Sequence, residues 1–170
     1  TPGESRPEDE QILATIEAGF ETVAGLIDEV KLRAALAEAM RLATEVNKYL
    51  DEMAPWFEIK EDKGTAATTV YTALRAIDSL KIIFAPFLPF TSERLNAYLG
   101  YEKPIFGQQV VETEEDDLGE HTVLRYKSGQ AAGRWELSSL QPGRAFQKPK
   151  PLFKKLDASL AEEERSRLGA

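Results

Sequence analysis

One stretch of this 170-residue chain combines residue types and spacing that could do chemistry on another molecule: Asn47-Lys48-Tyr49-Leu50-Asp51-Glu52-Met53-Ala54-Pro55-Trp56. Its first part continues an amphipathic helix, and Pro55 disfavours helical geometry at Ala54. Trp56 is therefore expected at the mouth of a helix rather than along a buried stripe. An aromatic ring in that position can stack on an unpaired base, the usual way a protein reads a single-stranded RNA loop. The same ring could instead fold back and plug the end of a bundle, since Trp is highly buried on average. A carboxylate five residues earlier, Asp51, would repel phosphates and reject bases that offer only acceptors, or it could simply end a helix. Asn47 is expected to anchor its helix through a buried hydrogen bond more than to touch RNA. Lys48, Lys60 and Lys63 flank the run and could meet phosphates, although Glu58, Glu61 and Asp62 among them suit an ordinary solvated face.

Catalysis of its own is not expected. His121 is the single histidine and there is no cysteine, so a Ser or Cys triad lacks its base or its nucleophile. No glycine-rich phosphate loop is present, and one histidine among scattered carboxylates has no metal-ligand spacing. Glu114 to Asp117 read as a solvated acidic loop.

The elements that must position Trp56 follow from the pattern. Acids at Glu8, Asp9 and Glu10 favour the positive end of a first helix, whose apolar stripe is Ile12, Ile16, Phe20, Val23, Ile27 and Val30. A second helix reads from about Lys31 to Met53, with Leu32, Leu36, Ala39, Ala43, Val46 and Leu50 on one face. Thr65 is a candidate N-cap for a third helix ending near Phe84, with Val70, Leu74, Ile77, Leu80 and Phe84 inward. Pro86 and Pro89 break it, and Thr91-Ser92-Glu93 opens a short helix to Leu99, stopped by Gly100. These four segments predict an antiparallel bundle. Beyond it, Gln108–Thr113 and His121–Tyr126 flank the turn Glu114–Gly119 and predict a β-hairpin. Such a hairpin is marginal in water unless it packs on something. Pro142-Gly143 mark a turn, Lys148-Pro149-Lys150-Pro151 an extended segment, and Asp157 can cap a last helix to about Leu168. The fold class is thus mainly α: a helix bundle over 1–100, a hairpin insertion over 101–134, and a tail over 135–170 that ends in a short helix.

Composition narrows the class. Hydrophobic residues make up 42%, which suits a packed core, and no stretch approaches the ~20 apolar residues of a membrane span. The start Thr1-Pro2-Gly3-Glu4-Ser5-Arg6-Pro7 lacks a signal-peptide core and an initiator Met, as if cut from within a longer chain. The formal charge of -8 runs against the basic footprint usual for RNA binding. Affinity for RNA would need a local patch and stacking. Lys148, Lys150, Lys154 and Lys155 form the one basic cluster.

The run from Asn47 to Trp56 resembles the Asn-x-Tyr-x-Asp-x-x-Ala-Pro-Trp signature of the methionyl-tRNA synthetase anticodon-binding domain. Two more stretches are similar to that family: Phe84-Ala85-Pro86-Phe87-Leu88-Pro89-Phe90-Thr91-Ser92-Glu93, and the tail Lys148-Pro149-Lys150-Pro151-Leu152-Phe153-Lys154-Lys155-Leu156-Asp157. The middle run is shared with isoleucyl, valyl and leucyl synthetases, whereas the Ala-Pro-Trp run and the tail are more particular. The resemblance covers about residues 8 to 157, apart from the insertion. It implies a class I synthetase anticodon-binding bundle in which Trp56 stacks on a base of the CAU anticodon, with Pro55 fixing its approach, Asp51 discriminating and Asn47 nearby. It implies tRNA(Met) and the enzyme's own catalytic domain as partners, with neither membrane nor DNA, in the cytoplasm. It also implies that ATP and Mg serve the parent methionine–tRNA ligase and that no cofactor binds here. The tail would run back toward the catalytic domain, giving Leu152, Phe153 and Leu156 an apolar docking task. The His-x-Gly-His and Lys-Met-Ser-Lys-Ser motifs of class I activation are absent, and neither Met40 nor Met53 lies in one. The family's upstream Asn-x-x-x-Arg pair has no equivalent in residues 1 to 30. Two alternatives remain: the corresponding domain of another class I synthetase, or a non-catalytic protein-interaction helix bundle.

Overall fold

A computed structural model describes residues 2–157 and 159–168. Its element order is α1 (Pro7–Asp28), α2 (Leu32–Met53), α3 (Pro55–Glu61), α4 (Lys63–Ile83), α5 (Pro89–Tyr98), β1 (Gln108–Asp116), β2 (Gly119–Lys127) and α6 (Ser159–Arg167). The class is mainly α, as expected, with a two-stranded antiparallel sheet added.

Helices α1, α2 and α4 pack on one another around one core, and α5 leans on α4. Ile12, Ile16, Phe20 and Val23 face inward from α1 as their spacing predicts. Gly19 lets α2 approach closely, because a Cβ there would sit 2.3 Å from a Leu42 methyl. Val30 departs from the expected stripe: α1 has already ended, and Val30 stands 77% exposed at φ 60°, bonded back to the Ile27 carbonyl.

The inward stripe of α2 is Ala35, Ala39, Leu42, Val46 and Tyr49, rotated from the face expected. Leu32 and Leu36 are exposed at the start of the helix. Small alanines, not large leucines, are what the close α1–α2 approach admits. In α4 the correction is similar. Val70 is exposed, while Ala66, Thr69, Thr72, Ala73, Ala76, Leu80 and Ile83 are buried, because α4 is covered on more than one side. Its N-cap is Asp62, which accepts the Gly64 N–H at 2.7 Å, and not Thr65, whose hydroxyl donates to the same carboxylate. Those hydrogen bonds hold the Asp62 carboxyl below the usual range. Helix α5 begins with Pro89 as its first residue, two positions before the expected Thr91. At its far end Gly100 adopts φ +77°, and a Cβ there would meet the Ala145 carbonyl at 2.2 Å.

The hairpin forms, with a two-residue connection of Asp117 and Leu118. Glu114, Glu115 and Asp116 belong to the strand rather than the turn, and Val111 faces Leu124 across the ladder. After it, residues 131–147 strap back over the bundle. Ala132 and Gly133 N–H groups donate to Pro104 and Ile105 carbonyls, and Gln147 N–H to Tyr98 O. Trp135 sets its ring edge-on to Phe20 with centroids 5.3 Å apart, and its indole N–H donates to Phe20 O at 3.2 Å. Tyr71 donates to Leu140 O at 2.9 Å, and Leu140 is buried.

A polar cluster lies under this strap. Asp78 Oδ2 accepts from Tyr101 and Ser138 hydroxyls at 2.8 and 2.6 Å, and Lys81 Nζ lies 2.8 Å from Asp78 Oδ1. Lys81 also donates to Asn96 and sits over the Tyr101 ring. Burial lowers the Lys81 ammonium, and burial with the Asp78 hydrogen bond pushes the Tyr101 hydroxyl up to about 12. Past the strap, Lys148–Asp157 is mostly exposed: Phe153 and Leu156 stand in solvent, while Leu152 is half-buried. Asp157 accepts the Ser159 N–H at 2.9 Å and caps α6.

Candidate nucleic-acid interface

The junction that presents Trp56 is a break between two helices. Ala54 closes α2 in the left-handed region at φ 43°, ψ 58°, a conformation costly for a residue with a Cβ. Pro55 then starts α3 as its first residue, where its missing N–H and fixed φ are an advantage. The stretch after Trp56, for which the sequence pattern gives no helix, is a seven-residue helix together with Pro55 and Trp56. Pro55 is buried, and Trp56 is 50% exposed. The ring does not plug the bundle. Its aromatic neighbour is Phe57, edge-on with centroids 6.3 Å apart, and Phe57 is itself 64% exposed with Lys60 Nζ 5.6 Å from its centroid.

Asp51 and Asn47 lie one turn apart on the exposed side of α2. The buried hydrogen bond expected for Asn47 is absent: the core face at that turn is taken by Val46 and Tyr49, so Asn47 points to solvent. Lys48 pairs with Glu45 at 3.1 Å on the surface. Lys60 and Lys63 are exposed, Lys63 opening α4. Lys148, Lys150, Lys154 and Lys155 are exposed as well.

Beneath α3 runs a network that local patterns did not reveal. Arg6, just before α1, donates to Asp9 at 3.0 and 3.1 Å, to Glu58 Oε1 at 2.7 Å and to Thr69 at 2.5 Å. Thr69 also lies 2.7 Å from Glu58 Oε2, and the Tyr49 hydroxyl donates to Asp9. Asp9 has no exposed surface. Burial alone would raise its carboxyl, but Arg6 and Tyr49 outweigh that and hold it below the usual carboxylate range. The Arg6 guanidinium is raised in turn, first through Asp9, and burial together with the Asp9 bond raises Tyr49. Asp9 is thus more than a first-turn acid. The sequence signal that could have exposed it is the pairing of Arg6 with Asp9 at i, i+3 at a helix start. Nothing local pointed to Glu58, 52 residues from Arg6.

Among the described residues, no group of three or more His, Asp or Glu is arranged to hold a metal ion, and no helix is long and apolar enough to cross a membrane. What this surface offers is an exposed aromatic pair on a short helix with Lys60 beside Phe57, a geometry on which a planar ring can stack.

A family model described as the anticodon binding domain of methionyl tRNA ligase matches residues 1–170. The methionine–tRNA ligase of Thermomicrobium roseum is 51% identical over 169 residues, covering 98% of this chain and 29% of the relative. That of Chloroflexus aggregans is 50% identical over 168 residues, covering 98% and 28%. The chain therefore spans less than a third of the length of these relatives. In free-state methionyl-tRNA synthetase from Mycobacterium tuberculosis the same fold recurs with a TM-score of 0.68 at 22% identity, over 92% of this chain and 27% of that one.

Proposed function

The chain belongs to the family of methionyl-tRNA ligase anticodon-binding domains, and from that premise we propose that it holds the CAU anticodon loop of tRNA(Met) by stacking a base on Trp56. The observation that carries this reading is the half-exposed indole at the free face of α3, on a helix whose middle is tied to Arg6 through Glu58. Unlike Trp135, whose ring packs on Phe20 and whose indole N–H is taken by a backbone carbonyl, Trp56 keeps a face open to a planar ligand. Pro55, buried against the bundle, sets the direction from which Trp56 emerges. Asp51, exposed one helix earlier, discriminates among bases by rejecting those that offer only acceptors, and Asn47 is exposed one turn before it on the same side of α2. Lys48, Lys60 and Lys63 supply local phosphate contacts on a chain whose overall charge is -8.

The function is binding, and the reaction belongs to the rest of a full-length ligase. There a catalytic domain would use ATP and Mg to charge tRNA with methionine, in the cytoplasm. A bundle that grips the anticodon would set the angle at which the distant acceptor end enters that domain. The exposed Phe153 and Leu156 of the tail, with the half-buried Leu152, would dock on it. In the same reading residues 1–100 are the binding bundle, 101–134 an insertion, and 135–170 the returning tail.

The test is a titration of this chain with a fluorescein-labelled CAU anticodon stem-loop and a scrambled-loop control, followed by anisotropy. Labelled RNA is preferable to Trp emission, because Trp135 is an anchor of the strap and should stay in place. Base–aromatic stacking is worth about 1–3 kcal/mol, so Trp56→Ala should weaken the CAU complex by roughly ten- to a hundredfold. Equal binding of both loops by the unaltered chain, or an unchanged affinity in Trp56→Ala, would overturn the reading.

A further inference from the structure

Helix α3 has an unusual inner side. Of its seven residues Pro55 is buried and Glu58 half-buried, while Trp56, Phe57, Ile59, Lys60 and Glu61 are exposed. A helix this short is not stable by its own hydrogen bonds; about 12–15 residues are needed in water even with favourable composition. Most surface helices meet the shortfall by burying an apolar stripe. Here that stripe is one proline, one turn before a carboxylate. The contact made by that carboxylate is correspondingly specific: Glu58 Oε1 takes the Arg6 guanidinium at 2.7 Å and Oε2 lies 2.7 Å from the Thr69 hydroxyl, with side-chain exposures of 26% for Arg6 and 19% for Glu58. Arg6 is in turn held on the fully buried Asp9. One guanidinium thus ties together the start of α1, the middle of α3 and the first half of α4.

We propose that Arg6 and Glu58 are positioning residues for RNA recognition, an ionic latch that takes the place of hydrophobic packing and holds α3 so that Trp56 and Phe57 stand free of the bundle. The inference rests on the anticodon reading for its RNA arm but not for its structural arm. At the other end of α3 the left-handed Ala54 breaks the continuity with α2, so α2 does not hold α3 in line. Without the latch α3 would keep Pro55 as its one buried side chain, beside its short link through Asp62 to α4, and could rotate or fray. The latch also explains how an acidic side chain comes to sit two residues from a ring meant for RNA: its charge is neutralised inward by Arg6.

This gives an experiment in which two explanations have opposite signs. If Glu58 mattered to RNA only through its charge, removing that charge would tighten binding of an anionic ligand. If it is a latch, removing it loosens the stacking platform and weakens binding. Glu58→Ala should lower affinity for the CAU stem-loop by about tenfold, the scale of one charge-assisted hydrogen bond lost. Glu58→Gln, which keeps an oxygen toward Arg6 and a polar group toward Thr69, should recover most of it. Amide hydrogen exchange supplies the arm that needs no RNA. In Glu58→Ala the amides of residues 57–62 should exchange at least tenfold faster, while those of Ile16, Leu42 and Ala76 in the core keep their protection.

Faster exchange confined to α3 with weaker RNA binding would support the latch. Unchanged exchange in α3 would overturn it, whatever the RNA does. Faster exchange with equal or tighter RNA binding, in a chain whose Trp56→Ala variant does lose binding, would overturn the positioning role. A Trp56→Ala variant that binds as well as the unaltered chain would instead sink the anticodon reading, and the exchange measurement alone would then decide whether the latch holds α3.

Discussion

Two parts of the molecule project from the bundle, and they are fastened by opposite means. Helix α3 is tied by buried or half-buried groups drawn from three places in the chain: Arg6 with Asp9, Glu58, and Thr69. The β1–β2 hairpin is held by its own ladder. Its ion pairs, Arg125 with Glu114 and Lys127 with Glu112, lie in solvent, and Val111, Leu124 and Tyr126 are exposed on its other face. Exposed pairs contribute little because water and salt screen them, whereas removing one partner of a buried pair strands a charge. The contrast teaches that the short helix is rigidly referenced to the core, while the longer hairpin is referenced mainly to itself. A surface that must present an aromatic ring at a set angle belongs on the first kind of element.

The largest effect expected from this contrast is on Arg6. Arg6→Ala should destabilise the chain by about 3 kcal/mol, because Asp9 would be left without its cation at a site with no solvent. Urea denaturation would read it, and a loss below about 1 kcal/mol would reduce the network to the rank of the hairpin's surface pairs. Next in size is the pH dependence. The native Asp9 carboxyl titrates below its unfolded value of about 3.9. Its contribution is therefore fully present above about pH 5 and is lost as pH falls through the folded value, below about pH 4. The gap in melting temperature between the unaltered chain and Asp9→Asn should hold level from pH 6 to about pH 5 and narrow as pH falls below about 4. A constant gap would show that the charge on Asp9 is not what stabilises this end of the bundle. The smallest effect belongs to the hairpin. Replacing residues 108–127 by a short Gly-Ser connection should leave cooperative melting of the bundle intact. The cut spares Ile105, which is buried, and Gly133, which packs against it. A broadened or lowered transition would mean that the hairpin supports the core after all.

Much of the fold was legible because it is written in short-range pattern. The stripe Ile12, Ile16, Phe20, Val23 has helical spacing, prolines and Gly100 mark the ends of helices, and the two β-branched runs pair as a hairpin, although Glu114, Glu115 and Asp116 extend its first strand instead of forming the turn. The Asn47–Trp56 run was legible as a motif, and its Tyr49 proves to be part of the core and of the Asp9 network. The rotation of α2 was not legible, since Leu32 and Leu36 compete with alanines for the inward face and hydropathy alone favours the leucines. What decided it was the distance to α1, set by Gly19 against Leu42.

By itself, then, the sequence determined that α1, α2, α4 and α5 are helical, roughly where they stop, and which family's signature they carry, because each of these depends on residues within a few positions of one another. It did not determine that α3 is a helix. The tertiary structure alone decided that Asp9 is buried, that Glu58 meets Arg6 across 52 residues, that Trp135 leans on Phe20, and that Asn47 faces water. Those outcomes depend on which faces meet after collapse, and a pair brought together across the fold leaves no periodic trace in the chain that forms it.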